Sequence, residues 1–128
     1  MFKGKKIACV LVAAAMVTCL PITAFAGSSS KSVNGYGTLY GKLSSSGSYV
    51  TSVSKNNDRA YLTIGGTIQD KNGKTIEKQQ NINSSRGETY FSGSWRYIPS
   101  NAYALYGAHG VQGGSTYGAA AVYTYTQA

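Results

Sequence analysis

Apolar and polar residues alternate between Ala60 and Asn83, with the period of two expected of a half-buried β-strand. One face of this stretch, read as an extended chain, carries Ala60, Leu62, Ile64, Gly66 and Ile68. A second apolar set follows at Ile76 and Ile82, and an Asn72-Gly73 pair lies between the two sets. Because Asn-Gly between two alternating runs is a strong turn signal, the pattern predicts a β-hairpin.

The register of this hairpin can be predicted from its apolar residues. A two-residue turn would place Ile68 opposite the polar Glu77. A three-residue loop over 71–73, with Gly73 in the left-handed conformation, places Ile68 opposite Ile76 instead. The second register keeps both apolar faces together, whereas a one-residue slip turns every side chain to the other face. The predicted pairs are therefore Ile68 with Ile76 and Leu62 with Ile82.

Shorter alternating runs predict further strands at intervals of roughly 8 to 12 residues. They cover 33–43, 49–54, 88–98, 102–111 and 115–126. In 88–98 the aromatic residues Phe91, Trp95 and Tyr97 share a face, which predicts a core position for all three. No stretch after residue 26 has a sustained helical period. We therefore predict an all-β fold, either a small antiparallel β-sandwich of about seven strands, immunoglobulin-like or similar, or a small barrel.

Residues 1–26 have the organisation of a secretory signal peptide. Three lysines precede an apolar run over 7–20, and Ala24-Phe25-Ala26 provides a small-residue cleavage site. The apolar run is shorter than the roughly 20 residues of a membrane span. We therefore expect cleavage of the signal and a secreted bacterial chain with no transmembrane segment afterwards.

The remainder of the chain divides into a Ser-rich segment over 27–32, predicted as a flexible arm, and one β-domain over 33–128. Both cysteines, Cys9 and Cys19, lie within the predicted signal. The secreted part therefore has no disulfide and no thiol chemistry, so a hydrophobic core has to hold the fold.

Charge narrows the class of partner. Residues 27–128 contain nine Lys and Arg against four Asp and Glu, a net charge of about +5. Such an excess favours anionic partners, which outside a cell include wall polymers and acidic glycans. The basic residues are scattered singly, without the dense runs typical of nucleic-acid sites, so no specific nucleic-acid partner is expected.

All eleven tyrosines lie after the predicted signal. Strand alternation places Tyr36 with Tyr40 on one face and Tyr123 with Tyr125 on another. Exposed rings suit stacking on sugars, although tyrosine is also common in sheets for its β-propensity alone. The candidate ligand-binding face is therefore Tyr36, Tyr40, Tyr123 and Tyr125, provided that the strand order brings these residues together.

The supply of catalytic groups is small. His109, the only histidine, precedes Gly110 and is predicted as a turn or surface residue. The sequence has no Gly-x-Ser-x-Gly elbow and no calcium-loop spacing, and Asp58 and Asp70 lie in predicted loops with turn-forming neighbours. We therefore expect a non-enzymatic protein with no catalytic residue, metal site or cofactor.

These observations favour a binding or surface-associated protein for an anionic or glycan partner in the cell envelope. The alternative is a bacteriocin-like or toxin-like effector that acts on another cell's envelope. The Gly35-Tyr36-Gly37 tripeptide and the aromatic C-terminal strand are similar to lactococcin-type secreted bacteriocins, whose small two-sheet domains begin shortly after the signal. The similarity is confined to these segments and implies no role for individual residues. The oligomeric state does not follow from the sequence.

Overall fold

The computed structural model describes residues 27–128, so the predicted signal peptide, 1–26, lies outside the described residues. The described part is all-β. Its strands are β1 (Ser28–Val33), β2 (Gly37–Leu43), β3 (Ser48–Val53), β4 (Tyr61–Gln69), β5 (Thr75–Asn83), β6 (Tyr90–Ser94), β7 (Ala104–Gln112) and β8 (Ala120–Gln127). Within residues 27–128 there is no helix with the length and apolar character needed to cross a membrane.

The strands form two antiparallel sheets of four strands each. The first sheet has the order β1-β2-β3-β6 and the second has the order β5-β4-β7-β8. The sheets pack face to face and do not close into a barrel, which confirms the two-sheet version of the predicted class. In immunoglobulin domains the second strand pairs with the fifth, whereas here β2 pairs with β1 and β3. The strand order therefore differs from the immunoglobulin arrangement.

The core lies between the two sheets and follows directly from strand alternation. One cluster is centred on Leu39, Leu62 and Val111, and the other on Ile64 and Leu105. All five side chains are fully buried. Burial of each stabilises the fold by about 1.5–3 kcal/mol, which is the main stabilising contribution in a region without cysteine.

The turn of the β4–β5 hairpin is the predicted three-residue loop. The Asp70 N–H donates to the Lys74 carbonyl at 2.9 Å, and the Gly73 N–H donates to the Asp70 carbonyl at 3.0 Å. Gly73 has φ of 83°, a left-handed conformation that glycine adopts without steric cost. The prediction of this loop is confirmed.

The predicted pairing farther along the hairpin is wrong. Ile68 lies opposite Glu77 and not Ile76, and Ile82 lies opposite Ile64 and not Leu62. The register shifts at two irregularities, each of which adds one residue to β5. Since two one-residue slips restore the original parity, Ile82 still packs against the core. The alternation within β4 contains no information about these bulges.

The Ser-rich segment predicted as a flexible arm forms the edge strand β1. It pairs with β2 from Ser28 opposite Lys42 to Val33 opposite Gly37. Backbone hydrogen bonds to β2 hold this strand in the sheet, and its side chains are mostly exposed. A strand held only by its backbone needs no apolar side chains. Its polar composition therefore resembles that of a flexible segment, which is why the sequence predicts an arm here.

The strand predicted over 88–98 is shorter in the structure and ends at Ser94. The Trp95 N–H donates to the Gly47 carbonyl at 3.0 Å, and its indole N–H donates to the Tyr49 hydroxyl at 2.6 Å. Trp95 is therefore half-buried against the core, whereas Tyr97 is 67% exposed. The predicted core position of Tyr97 is wrong because the chain leaves the sheet before reaching it.

Candidate functional site

The outer face of the second sheet contains a shallow depression of about 310 Å³. We name it the sheet groove and define it by the outward residues that line it, which are Thr63, Asn81, Ala108, Gly110, Gln112, Ala119, Ala121 and Tyr123. These residues come from all four strands of the sheet or from their ends. The site is therefore a product of strand order and not of one contiguous motif.

The depression exists because small residues occupy adjacent positions on neighbouring strands. Gly110 of β7 lies opposite Thr63 of β4 on one side and Ala121 of β8 on the other. In the next row, Ala108 of β7 lies opposite Gly65 of β4. Directly opposed residues on neighbouring strands have side chains on the same face, so these positions form a low floor.

Two of the floor residues are glycines with polar side chains close to the position of the missing β-carbon. A β-carbon on Gly65 would collide with the side-chain oxygen of Asn81, which lies over it. A β-carbon on Gly110 would lie only 2.7 Å from the Thr63 hydroxyl oxygen. The absence of these β-carbons therefore leaves space for polar side chains that border the groove.

Larger side chains bound the floor. Tyr123 of β8 lies opposite Ala108 of β7, and 57% of the Tyr123 surface is exposed. At one end the rings of Tyr106 and Tyr125 pack 5.2 Å apart at 45°. The groove is therefore bordered by an exposed aromatic ring along β8, and the aromatic pair occupies the next outward row of the sheet.

The other end of the groove is polar and positively charged. The Gln112 side-chain amide donates to the Tyr61 hydroxyl at 3.0 Å. The Arg86 guanidinium lies 5.2 Å from the Tyr61 ring centroid and donates to the Arg59 and Gly113 carbonyls. These bonds hold a cation at the groove's edge, and no carboxylate is among the described residues that line the groove.

The four tyrosines predicted as one candidate face lie in three different environments. Tyr123 and Tyr125 are on the outer face of the second sheet, as their alternation indicates. Tyr40 is on the outer face of the first sheet, opposite Ser30 and Ser52. Tyr36 is fully buried in the turn between β1 and β2. The strand order therefore separates these residues, and Tyr36 is unavailable to a ligand.

Tyr36 instead belongs to a buried network around Asp58. Its hydroxyl donates to Asp58 Oδ2 at 2.8 Å, and the same carboxylate accepts the N–H groups of Thr116 and Tyr117 at 2.9 Å each. The Tyr117 N–H bond is the main cause of the lowered pKa of Asp58. Burial, followed by the Asp58 contact, raises the pKa of Tyr36 to about 12. Asp58, expected only as a loop residue, therefore anchors the connection between β7 and β8.

His109 is also in the interior, so its prediction as a turn or surface residue is wrong. It lies within β7 and is fully buried between the sheets. Its Nδ1 is 3.2 Å from Thr51 Oγ1, and its Nε2 is 2.7 Å from Thr124 Oγ1. Burial lowers the pKa of His109 to about 4, so the ring is neutral at pH 7.

The tautomer of His109 follows from its partners. Thr51 Oγ1 donates its one hydrogen to the Thr63 carbonyl at 3.0 Å, so it can only accept from the imidazole. The ring therefore carries its hydrogen on Nδ1, and Nε2 accepts from the Thr124 hydroxyl. With both nitrogens paired and no exposed surface, His109 cannot exchange protons directly with a bound ligand.

Titratable residues do not assemble into a metal centre in the part of the chain that the structure describes. Within residues 27–128 no group of three or more His, Cys, Asp or Glu lies close enough to hold an ion. Comparisons of the chain with protein-family models, with curated proteins and with solved structures give no significant match. The functional argument therefore rests on the sheet groove itself.

Proposed function

We propose that this protein is a non-enzymatic secreted binding protein that holds a glycan of the cell envelope in the sheet groove. The observation that carries the proposal is the exposed ring of Tyr123 beside a floor of glycine and alanine. The second sheet thus combines an aromatic surface with room for a flat ligand next to it.

The residues of the groove match the chemistry of a sugar ring. The face of an aromatic ring carries partial negative charge, which attracts the weakly positive C–H groups of a pyranose. Asn81 and Gln112 offer amide donors and acceptors to sugar hydroxyls, and Thr63 offers a hydroxyl. A few convergent polar groups around an apolar surface are typical of a site that fixes a ligand's orientation.

The charges around the groove favour a glycan with acidic substituents. Arg86 lies at one end of the groove, and Lys78 of β5 lies opposite Thr67 of β4. No carboxylate among the described residues lines the groove to repel an anionic ligand. The positive charge of the secreted part adds a longer-range attraction toward anionic wall polymers.

The proposal is tested by cosedimentation of the protein with isolated cell walls, with two matched tyrosine variants. Tyr123→Ala removes the ring beside the groove, whereas Tyr90→Ala removes a ring of similar exposure, 60%, from the outer face of the first sheet. We expect Tyr123→Ala to weaken binding about tenfold, equivalent to about 1.4 kcal/mol, and Tyr90→Ala to leave it unchanged.

Equal binding by the wild type and Tyr123→Ala would contradict the proposal. The same assay at high salt separates the two contributions to binding, because salt screens exposed charges but not ring stacking. Binding that persists in high salt and still depends on Tyr123 would identify a predominantly neutral glycan as the ligand.

A further inference from the structure

One end of the sandwich, remote from the centre of the sheet groove, is covered by the segment 95–103. This segment begins at the first sheet, where the Trp95 N–H donates to the Gly47 carbonyl at 3.0 Å. It reaches the second sheet where the Tyr103 N–H donates to the Gln69 carbonyl at 2.8 Å. The loop 70–74 lies beside it. We name the surface formed by 95–103 and 70–74 the loop end.

The loop end carries two exposed aromatic rings above an apolar layer. Tyr97 is 67% exposed and Tyr103 is 48% exposed. Trp95 and Ile98 are half-buried beside them and pack against the core cluster that includes Leu105. Aromatic rings with a polar hydroxyl are favoured where an apolar phase meets water.

The same surface gathers basic residues that are scattered in the sequence. Lys71, Lys74 and Arg96 are all exposed here. Asp70 is the one acidic side chain within the loop end, and its Oδ1 accepts the N–H groups of Asn72 and Lys74 within the turn. Of the described acids, the next along the chain is Glu77, on the edge strand β5. The loop end therefore has a local excess of positive charge.

We propose that the loop end docks on the surface of an anionic lipid bilayer. Tyr97 and Tyr103 would lie at the level of the headgroups, and the three basic residues would face the lipid phosphates. A bilayer explains this surface better than a soluble anionic polymer does, because a polymer requires positive charge but offers no apolar phase for the two rings. This proposal does not depend on the sheet groove, which uses different residues.

The probe is a set of vesicles made of equal parts phosphatidylglycerol and phosphatidylcholine, with pure phosphatidylcholine vesicles as the uncharged comparison. Trp95 is the only tryptophan in the chain and lies in the loop end, so its fluorescence reports binding without a label. We expect a blue shift of Trp95 emission and cosedimentation with the anionic vesicles, and much weaker binding to the uncharged ones.

Two charge variants locate the surface. The triple substitution Lys71→Gln, Lys74→Gln and Arg96→Gln removes three charges at the loop end. The control substitution Lys31→Gln, Lys55→Gln and Arg59→Gln removes three exposed charges elsewhere. Each basic residue close to an anionic surface contributes about fivefold in affinity, so we expect the first variant to lose about a hundredfold and the control less than about threefold.

The tyrosine pair distinguishes a bilayer from a soluble anion. Tyr97→Ser with Tyr103→Ser should weaken vesicle binding about tenfold and leave the affinity for soluble polyglycerol phosphate unchanged. Equal losses in the two charge variants, or no binding to anionic vesicles at low salt, would overturn the proposal. Tyr123→Ala changes only the sheet groove and should therefore retain full vesicle binding. The vesicle result is thus independent of whether the glycan proposal holds.

Discussion

His109 shows how one buried polar residue constrains its surroundings. The imidazole occupies space that Gly41, on the facing strand β2, leaves free, since a β-carbon there would overlap the ring. Its two nitrogens pair with threonine hydroxyls from β3 and β8, so the ring connects the two sheets. A buried polar group with all partners satisfied adds specificity to the packing of a core that is otherwise apolar.

The lowered pKa of His109 makes folding stability depend on pH. The unfolded chain binds a proton below pH 6.5, whereas the folded chain resists protonation until about pH 4. The unfolded state is therefore favoured progressively as the pH falls through this window, by roughly 3 kcal/mol in total. Denaturant unfolding at pH 7, 5.5 and 4 should show this loss. His109→Gln should be less stable at pH 7 but lose less stability toward pH 4, and an identical pH slope in both proteins would contradict the assignment.

A pair of glycine substitutions tests whether the core has room for a methyl group beside His109. Gly41→Ala should destabilise the fold by about 1–3 kcal/mol, because the new methyl group overlaps the imidazole. Gly118→Ala is the matched control, since no atom lies within 4 Å of its added β-carbon. Thermal unfolding measures both. Equal melting temperatures for the two variants would show that the core accommodates the methyl group at position 41.

At the scale of strands and loops, local patterns in the sequence identify most of the second sheet. Alternation predicts β4 and β7, and Asn72-Gly73 predicts the turn after β4 together with its left-handed glycine. The bulges in β5 could not be predicted, because they depend on which partner residues fit across the strands. The Ser-rich composition predicts a flexible arm in place of β1 for a related reason, since backbone pairing with β2 holds this strand in the sheet without side-chain burial.

The candidate site was only partly predictable. Alternation correctly places Tyr123 and Tyr125 on one face, but it contains no information on which strands lie beside β8. The sheet groove requires β7 next to β8 and β4 next to β7, and these pairings join residues far apart in the chain. The prediction that Tyr36 belongs to an exposed face is wrong, because this residue is buried with Asp58, a partner 22 residues away in the sequence.

The connection between β7 and β8 depends on the Asp58 network. Tyr36→Phe removes the hydroxyl donor and should cost about 1 kcal/mol. Asp58→Asn should destabilise the protein more, because an amide replaces a charged acceptor of several hydrogen bonds. Amide hydrogen exchange at Thr116 and Tyr117 should accelerate in Asp58→Asn. Unchanged exchange at these two amides would contradict the anchoring role of Asp58.

At the scale of the whole molecule, the two proposed surfaces use different residues and adjoin where the Gln127 side-chain amide of β8 donates to the Tyr103 hydroxyl of the loop end at 3.2 Å. The sheet groove is on the outer face of the second sheet, whereas the loop end covers the edges where β6 ends and β7 begins. Because the two proposals use different residues, we expect a glycan and a bilayer to be bound at the same time. Wall binding should be the same in the presence and absence of saturating anionic vesicles, which sedimentation with labelled wall fragments measures. Mutual exclusion would show that the surfaces overlap or that one surface serves both ligands.

The most direct test of the proposed function is an amide chemical-shift titration of the protein with soluble cell-wall glycan fragments. The proposal requires the largest changes at the amides of Thr63, Gly65, Ala108, Gly110 and Ala121, the floor and border of the sheet groove. The amides of β1–β3 and of the loop end should change little. Changes centred on the first sheet, or none at saturating fragment concentration, would contradict the assignment of the sheet groove as a glycan-binding site.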